Sequence, residues 1–342
     1  MPAFPRRLPW SRLALRIAAL SLLGAPTGCG FPKGDGQAVR TITLRVADWG
    51  GVASDPASSR YEREVRAEWK HLHPEIVIAE EHIPGSDAYV SKMLTAFVAR
   101  TEPDVMALDA SSAAAFIEND TLQDLTPFVQ ADHFDLNVYY PNVLNLARRG
   151  AHLYALPADF TPMMLYYNRR LFAQAGIPEP QEGWTWDEFR ADCRRLTVWP
   201  PGTPHPTQYG FEVQNWMPGW IPWIWQNGGD VLTPNGKHAA GALDSPATAE
   251  AVQFFVNLVR EHLAPSLSQS QAQGADPFQS GLTAMQISGH WNLIGLKASE
   301  TLKLSDVGVV GLPTGRKRVT VLYGQVMPLP ATVPTRRQPG ST

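Results

Sequence analysis

Residues 42–51 read Ile-Thr-Leu-Arg-Val-Ala-Asp-Trp-Gly-Gly, and they set the fold class. Ile42, Leu44 and Val46 alternate with polar residues, the period of a strand with one buried face. Asp48-Trp49-Gly50-Gly51 then breaks that strand into a loop. Outward from this stretch the period changes. Tyr61, Val65, Trp69 and Leu72 fall at i, i+4, i+8 and i+11, one face of a helix that Pro74 stops. Ile76-Val77-Ile78 predicts a second strand. Pro84-Gly85 turns, Ser86 or Asp87 caps, and Tyr89, Met93, Leu94 and Phe97 mark a second helix. Asp104 to Leu108 is a third strand, and Ala113 to Ile117 starts a third helix. This β-α-β-α-β-α order predicts an α/β lobe on a largely parallel sheet.

A second unit follows. Leu153 to Leu156 and Met163 to Tyr167 read as strands, and Arg169 to Ala175 as a short helix closed by Gly176. Thr185-Trp186-Asp187-Glu188 has capping-box spacing and opens a helix to about Thr197. Asp244 or Ser245, with Pro246 in the first turn, opens another, with Val252, Phe255, Val256 and Val259 on its inner face. Leu302 to Leu312 reads as a further strand region.

The chain has 342 residues, 44% hydrophobic and 18% charged, which suits two lobes of ordinary size. A net charge of −3 excludes a strongly basic nucleic-acid binder, so no nucleic-acid partner is expected. Aromatics at 10% exclude an acidic disordered chain. The 30 prolines and 27 glycines are not periodic, which removes collagen and solenoid readings.

Residues 1–28 read as an export signal. Arg6, Arg7, Arg12 and Arg16 precede the apolar run Ile17 to Ala25, which is too short to span a bilayer comfortably. Pro-Thr-Gly-Cys at 26–29 resembles a bacterial lipobox with Cys29 as the lipidated residue, although Pro26 stands where leucine is usual. Losing residues 1–28 removes four arginines and no acid, leaving a net charge of −7. Residues 29–41 then form a polar, glycine-rich tether. The expected location is outside the cytoplasmic membrane, facing the periplasm or cell exterior on a lipid anchor. The other cysteine, Cys193, sits i+4 from Phe189 and predicts a packing role on a helix.

Several chemistries lack their motifs. No H-E-x-x-H, C-x-x-C, G-x-S-x-G or phosphate-binding G-x-x-x-x-G-K-[ST] occurs, and no metal or cofactor is expected. His71-Leu72-His73 could hold a metal, but it reads as the solvated end of a helix.

What stands out is Trp216, Trp220, Trp223 and Trp225 within ten residues, ahead of Asn227-Gly228-Gly229-Asp230. Indole faces stack on the C–H faces of sugar rings. The competing reading is core packing between helix and sheet. Trp220 and Trp223 are the expected ligand-facing pair, with Trp216 and Trp225 structural. Other polar and aromatic residues follow strands, where α/β sheets present ligands: Trp49, Asp109, Asp159 and Trp291. An aspartate there can accept from two sugar hydroxyls, and capping a helix or turn is the rival role for each.

Four stretches in order carry a family resemblance: Met93–Phe97 through Thr101–Val105 with Leu122–Pro127; Leu153–Pro157 through Tyr166–Asn168 and Leu171–Pro178; Trp184–Phe189; and Phe278–Gly281 through Ala284-Met285 to Gly289-His290-Trp291. Together they resemble the family 1 extracellular solute-binding proteins of bacterial ABC importers, the maltose/multiple-sugar type. The resemblance implies a two-lobed periplasmic-binding-protein-like fold of type II, with α/β lobes joined by hinge strands. Lobe I would comprise 42–126 and 317–342, and lobe II 127–316, with Leu156-Pro157 and Leu312-Pro313 near the crossings. It further implies a sugar or oligosaccharide in an inter-lobe cleft lined by Trp49, Asp109, Asp159, Trp220, Trp223, Trp291, Tyr323 and Gly324. The implied partners are the membrane subunits of an ABC permease; the chain would be a monomer and perform no catalysis. A secreted carbohydrate-active enzyme and a binder of another solute, such as a polyol phosphate, remain alternatives. Family members continue past the Tyr323-Gly324 position with helices that complete both lobes. Here the tail from Met327 to Gly340 holds four prolines and no helical face, so a truncated, unstable product with those helices missing is expected.

Overall fold

The computed structural model describes residues 41–49, 56–272 and 276–331, and the chain divides into two units. Unit 1 comprises Met1–Phe160 and Gly324–Thr342, and unit 2 is Thr161–Tyr323. The export segment, Cys29, the tether up to residue 40 and the tail after Ala331 lie outside the described residues. No helix among the described residues is long and apolar enough to cross a membrane.

In unit 1, β1 (Ile42–Asp48) is the middle strand of a parallel sheet between β2 (Ile76–His82) and β3 (Val105–Met106). Ile42 sits opposite Ile76, and Val46 opposite Val105. Helices α1 (Pro56–Leu72) and α2 (Ser86–Ala99) make the connections that parallel strands require. The start of α2 differs from expectation. Gly85, at φ +89°, occupies the cap position, so Ser86 and Asp87 fall inside the first turn. Only glycine adopts that backbone freely, and the Pro84-Gly85 turn therefore fixes the boundary. Of the two histidines at the end of α1, His71 is exposed as read, and only His73 departs from the solvated reading. His73 is buried and its ring lies 4.6 Å from that of Trp69.

The predicted third strand is two strands in two sheets. After β3, the Ala107 N–H donates to the Ala47 carbonyl at 2.8 Å. The chain then turns into β4 (Leu108–Asp109), which pairs antiparallel with β9 (Leu322–Pro328), Leu108 opposite Val326. On the other side of β9 lies β5 (Ala155–Pro162). Helix α3 (Ala110–Glu118) follows β4 directly. The unit 1 core gathers Tyr89, Met93, Met106, Leu108 and Phe116 with Val129, Leu144 and Leu153. Residues 127–160 thus belong to unit 1, which corrects the expected boundary at 126.

Unit 2 is built on β6 (Met164–Asn168), flanked antiparallel by β7 (Met285–Ser288) and β8 (Val307–Val310). Its helices include α4 (Arg169–Gln174), α5 (Trp186–Leu196), α6 (Met217–Gln226), α7 (Pro246–Arg260) and α8 (Asn292–Ala298). Thr185 and Glu188 form the predicted capping box at α5, and Ser245 caps α7 through the Thr248 N–H. The buried face of α7 is Thr248, Ala251 and Leu258, whereas Val252 is exposed. The region 302–312 narrows to β8, preceded by a single 3-10 turn at Leu304–Asp306. Cys193 is wholly buried among Phe189, Leu196 and Phe211, and burial pushes its thiol pKa well up. It packs, as expected.

Leu312 and Val321 join this same core, so the return to unit 1 falls at Tyr323–Gly324 rather than near Leu312-Pro313. Residues 317–323 accordingly belong to unit 2.

Candidate ligand-binding site

Residues 211–216 lead into α6. The Phe211 N–H donates to Leu263 O at 3.1 Å and the Glu212 N–H to Met285 O at 2.9 Å. Phe211 and Val213 are buried, while Glu212, Gln214 and Trp216 alternate with them. The Trp216 indole N–H donates to Gln214 Oε1 at 2.8 Å. Gln214 in turn rests on Gly219, where an added Cβ would lie 3.1 Å from the Gln214 Cβ.

Three rings close a triangle around Trp216. Its centroid lies 5.9 Å from Trp291 and 5.5 Å from Tyr323, and Trp291 lies 5.6 Å from Tyr323, all edge-on. Edge-to-face packing suits the ring quadrupoles. Trp291 keeps 36% of its surface exposed. The loop carrying it is tied to the start of β6. Thr161 Oγ1 accepts from the His290 N–H at 3.1 Å, and the Tyr166 hydroxyl donates to Gly289 O at 3.0 Å. Tyr323 is approached by a strand held to the same place, because the Met163 N–H donates to Val321 O at 2.9 Å.

Beside this wall sits Glu212. Burial raises its carboxyl pKa to about 7, the charge of Asp276 adds to the rise, and a hydrogen bond with the Gln214 side chain opposes it. Its Oε2 has no hydrogen-bond partner.

The other sequence-predicted residues divide. Trp223 is 2% exposed, ringed by Trp186, Phe189, Phe211, Phe254 and Phe255, so it is a core residue and not a ligand wall. Its N–H is satisfied by Gly219 O at 3.2 Å. Trp220 is partly buried against the same core. Trp225 donates to Asp230 Oδ1 at 3.1 Å, the structural role expected of it.

In unit 1, Asp109 is buried and caps α3. Its Oδ1 accepts from the Ser111 and Ser112 N–H groups at 2.9 Å and from the Ser111 hydroxyl, and Oδ2 accepts from the Ser112 hydroxyl at 2.6 Å. These bonds make it a cap, the rival role named for it. Asp159 is exposed, and its Oδ1 accepts from the Gln325 N–H at 2.9 Å. Gln325 pairs with Asp109 across β9 and β4. Gly324 is buried beneath Asp159, whose carbonyl oxygen an added Cβ would meet at 2.8 Å. Trp49 is half-buried at the end of β1, edge-on to Tyr89 at 5.5 Å.

The sequence reading thus missed Trp216 and Gln214 as members of the aromatic site. The signal available was the alternation of 212, 214 and 216 ahead of a proline-started helix.

A chain that leaves one α/β unit and returns to it through the strands β5 and β9 is built as a two-lobed protein. It belongs to the bacterial extracellular solute-binding protein family, whose model matches residues 54–336. An uncharacterized lipoprotein of Streptomyces antibioticus is 31% identical over 191 residues, 55% of this chain and 40% of that protein. An ABC substrate-binding protein from Listeria monocytogenes in complex with cycloalternan superposes with a TM-score of 0.74 at 20% identity, covering 86% of this chain and 72% of that one. An ABC transporter solute-binding protein from Thermotoga lettingae bound with alpha-D-tagatose gives 0.70 at 22% identity, covering 86% and 74%. The chain spans 40 to 62% of the length of the curated relatives that it matches first.

Proposed function

We propose that this chain captures a sugar or oligosaccharide without altering it and delivers it to an ABC permease, as an exported protein held to the membrane through Cys29. The observation that carries this reading is the triangle of Trp216, Trp291 and Tyr323, a cluster of partly exposed aromatic rings in a chain of a solute-binding family. Flat indole and phenol rings suit the C–H faces of a neutral sugar. The cycloalternan and tagatose carried by two structural neighbours belong to the same chemistry. In unit 1, Trp49 and Asp159 remain candidates for ligand contact. Asp159 has an exposed carboxylate to offer hydroxyl groups.

A thermal-shift screen of the chain against mono- and oligosaccharides tests the reading, since a ligand that binds only the folded state raises its midpoint. We expect neutral sugars to raise it, and the recovered sugar to be chemically unchanged. A shifted or cleaved product would move the reading to a carbohydrate-active enzyme. A response to polyol phosphates alone would move it to a different solute.

A further inference from the structure

We propose that Thr161 and Tyr166 are positioning residues of the aromatic wall: they grip the two ends of a single peptide group, Gly289–His290, and so fix where the Trp291 indole stands for a ligand. The effect on affinity rests on reading the wall as a sugar site, whereas the effect on the indole does not.

The ladder between β6 and β7 ends where Met164 lies opposite Ser288. The next peptide has no place in that ladder, yet Gly289 is buried, and buried backbone groups need partners. Two side chains supply them. The His290 N–H donates to Thr161 Oγ1 at 3.1 Å, and the Gly289 carbonyl accepts from the Tyr166 hydroxyl at 3.0 Å. Thr161 is 5% exposed and Tyr166 4%, so water does not stand in for either one. The roles of the two hydroxyls are also set. The Thr161 proton goes to Pro162 O at 3.2 Å, which leaves its oxygen as the acceptor. Burial pushes the Tyr166 phenol pKa up, so its hydroxyl keeps its proton and stays a donor.

A peptide group is planar, so holding both its N–H and its C=O stops it rotating. Gly289 has no Cβ to resist that rotation, and the side-chain grip supplies what backbone sterics do not. The orientation reaches Trp291 within one residue. The Gly289 carbonyl also accepts from the Asn292 N–H at 3.1 Å, which closes a turn with His290 and Trp291 at its centre. Trp291 holds φ −56° and ψ −26° there. Rotating the first peptide would carry the turn, and the indole with it, away from Trp216 and Tyr323.

Each hydroxyl is removed in turn and the Trp291 indole is read directly. Thr161→Val and Tyr166→Phe keep the side-chain shape and lose the hydrogen bond. In both, the Nε1–H resonance of Trp291 in the ligand-free chain, assigned by its loss in Trp291→Phe, should shift. In Thr161→Ser, which keeps the hydroxyl, it should stay at the parent position. The affinity for a neutral sugar found by the thermal-shift screen should fall about two- to tenfold in each hydroxyl-deleted variant, the worth of one hydrogen bond, and hold in Thr161→Ser. In a Trp291→Ala background the same two substitutions should cost no further affinity, because their effect passes through that ring. An unmoved resonance in either hydroxyl-deleted variant, or an equal affinity loss with and without Trp291, overturns the proposal. If the resonance moves as stated but no sugar binds, the grip on the indole stands and the sugar reading falls.

Discussion

The six-membered ring of Trp291 lies against Gly289, two residues earlier, so closely that a Cβ at 289 would come within 2.6 Å of ring atom Cε3. No real side chain tolerates that approach, so glycine at 289 is what lets the indole fold back toward Trp216 and Tyr323. The Tyr166 hydroxyl fixes the same peptide by donating to Gly289 O. The wall thus depends on a missing methyl as much as on the rings themselves.

Gly289→Ala should therefore displace Trp291 while sparing the core. Overpacking of this kind costs about 1–3 kcal/mol, and here the exposed ring can swing outward to relieve it. We expect a modest fall in melting temperature, a change in tryptophan fluorescence and a loss of sugar-induced stabilisation. A variant that keeps the full ligand shift would show that the ring position is irrelevant to binding.

Single alanine substitutions separate wall from core. Trp291→Ala and Tyr323→Ala remove partly exposed rings, so they should weaken sugar binding roughly tenfold or more with small effects on stability. Trp223→Ala empties a fully buried site among five aromatic neighbours and should cost about 3–5 kcal/mol. Isothermal titration beside urea denaturation reads both effects. If Trp223→Ala left stability untouched and abolished binding, the placement of the two residues would be reversed.

That contrast marks where sequence stops being informative. The four tryptophans at 216–225 are visible as a cluster, but their roles depend on phase. Trp216 precedes α6 in extended chain, whereas Trp223 lies on the face of α6 that meets Phe189 of α5 and Phe254 of α7. No local spacing reveals which rings arrive from other elements. Signals that are satisfied within four residues were legible: the Thr185–Glu188 capping box and the Ser245–Pro246 helix start both form as read. The split of β3 from β4 was not, because Leu108 finds its partner at Val326, more than two hundred residues away. Unit boundaries failed for the same reason: Val129, Leu144 and Leu153 are assigned by what they pack against.

Asp109→Ala tests the capping role of a residue that could equally have met ligand. Removing an N-cap acceptor costs about 0.5–2 kcal/mol, and burial together with four donors places this one at the upper end. Asp109→Asn keeps one acceptor oxygen and should recover part of the loss. Chemical denaturation measures both. Sugar affinity per folded molecule should be unchanged, and a large affinity loss in a fully stable Asp109→Asn would return the residue to the binding site.

Glu212 gives stability a pH dependence whose sign follows from its raised pKa. The folded chain holds this proton up to about 7, whereas the unfolded chain releases it near the ordinary glutamate value of 4.5. Between those values the folded state binds more protons, so stability falls as pH rises and the contribution is fully lost above about 7. A shift of that size corresponds to roughly 3 kcal/mol. Glu212→Gln carries no titrating proton and escapes the loss. The variant and parent should therefore be close at pH 4.5, and the variant should be more stable at pH 8, with most of the gap opening between pH 5 and 7. Urea unfolding at those pH values measures it. Equal stability differences at pH 4.5 and 8 would mean that the carboxyl is solvated in the folded chain and that burial does not govern its titration.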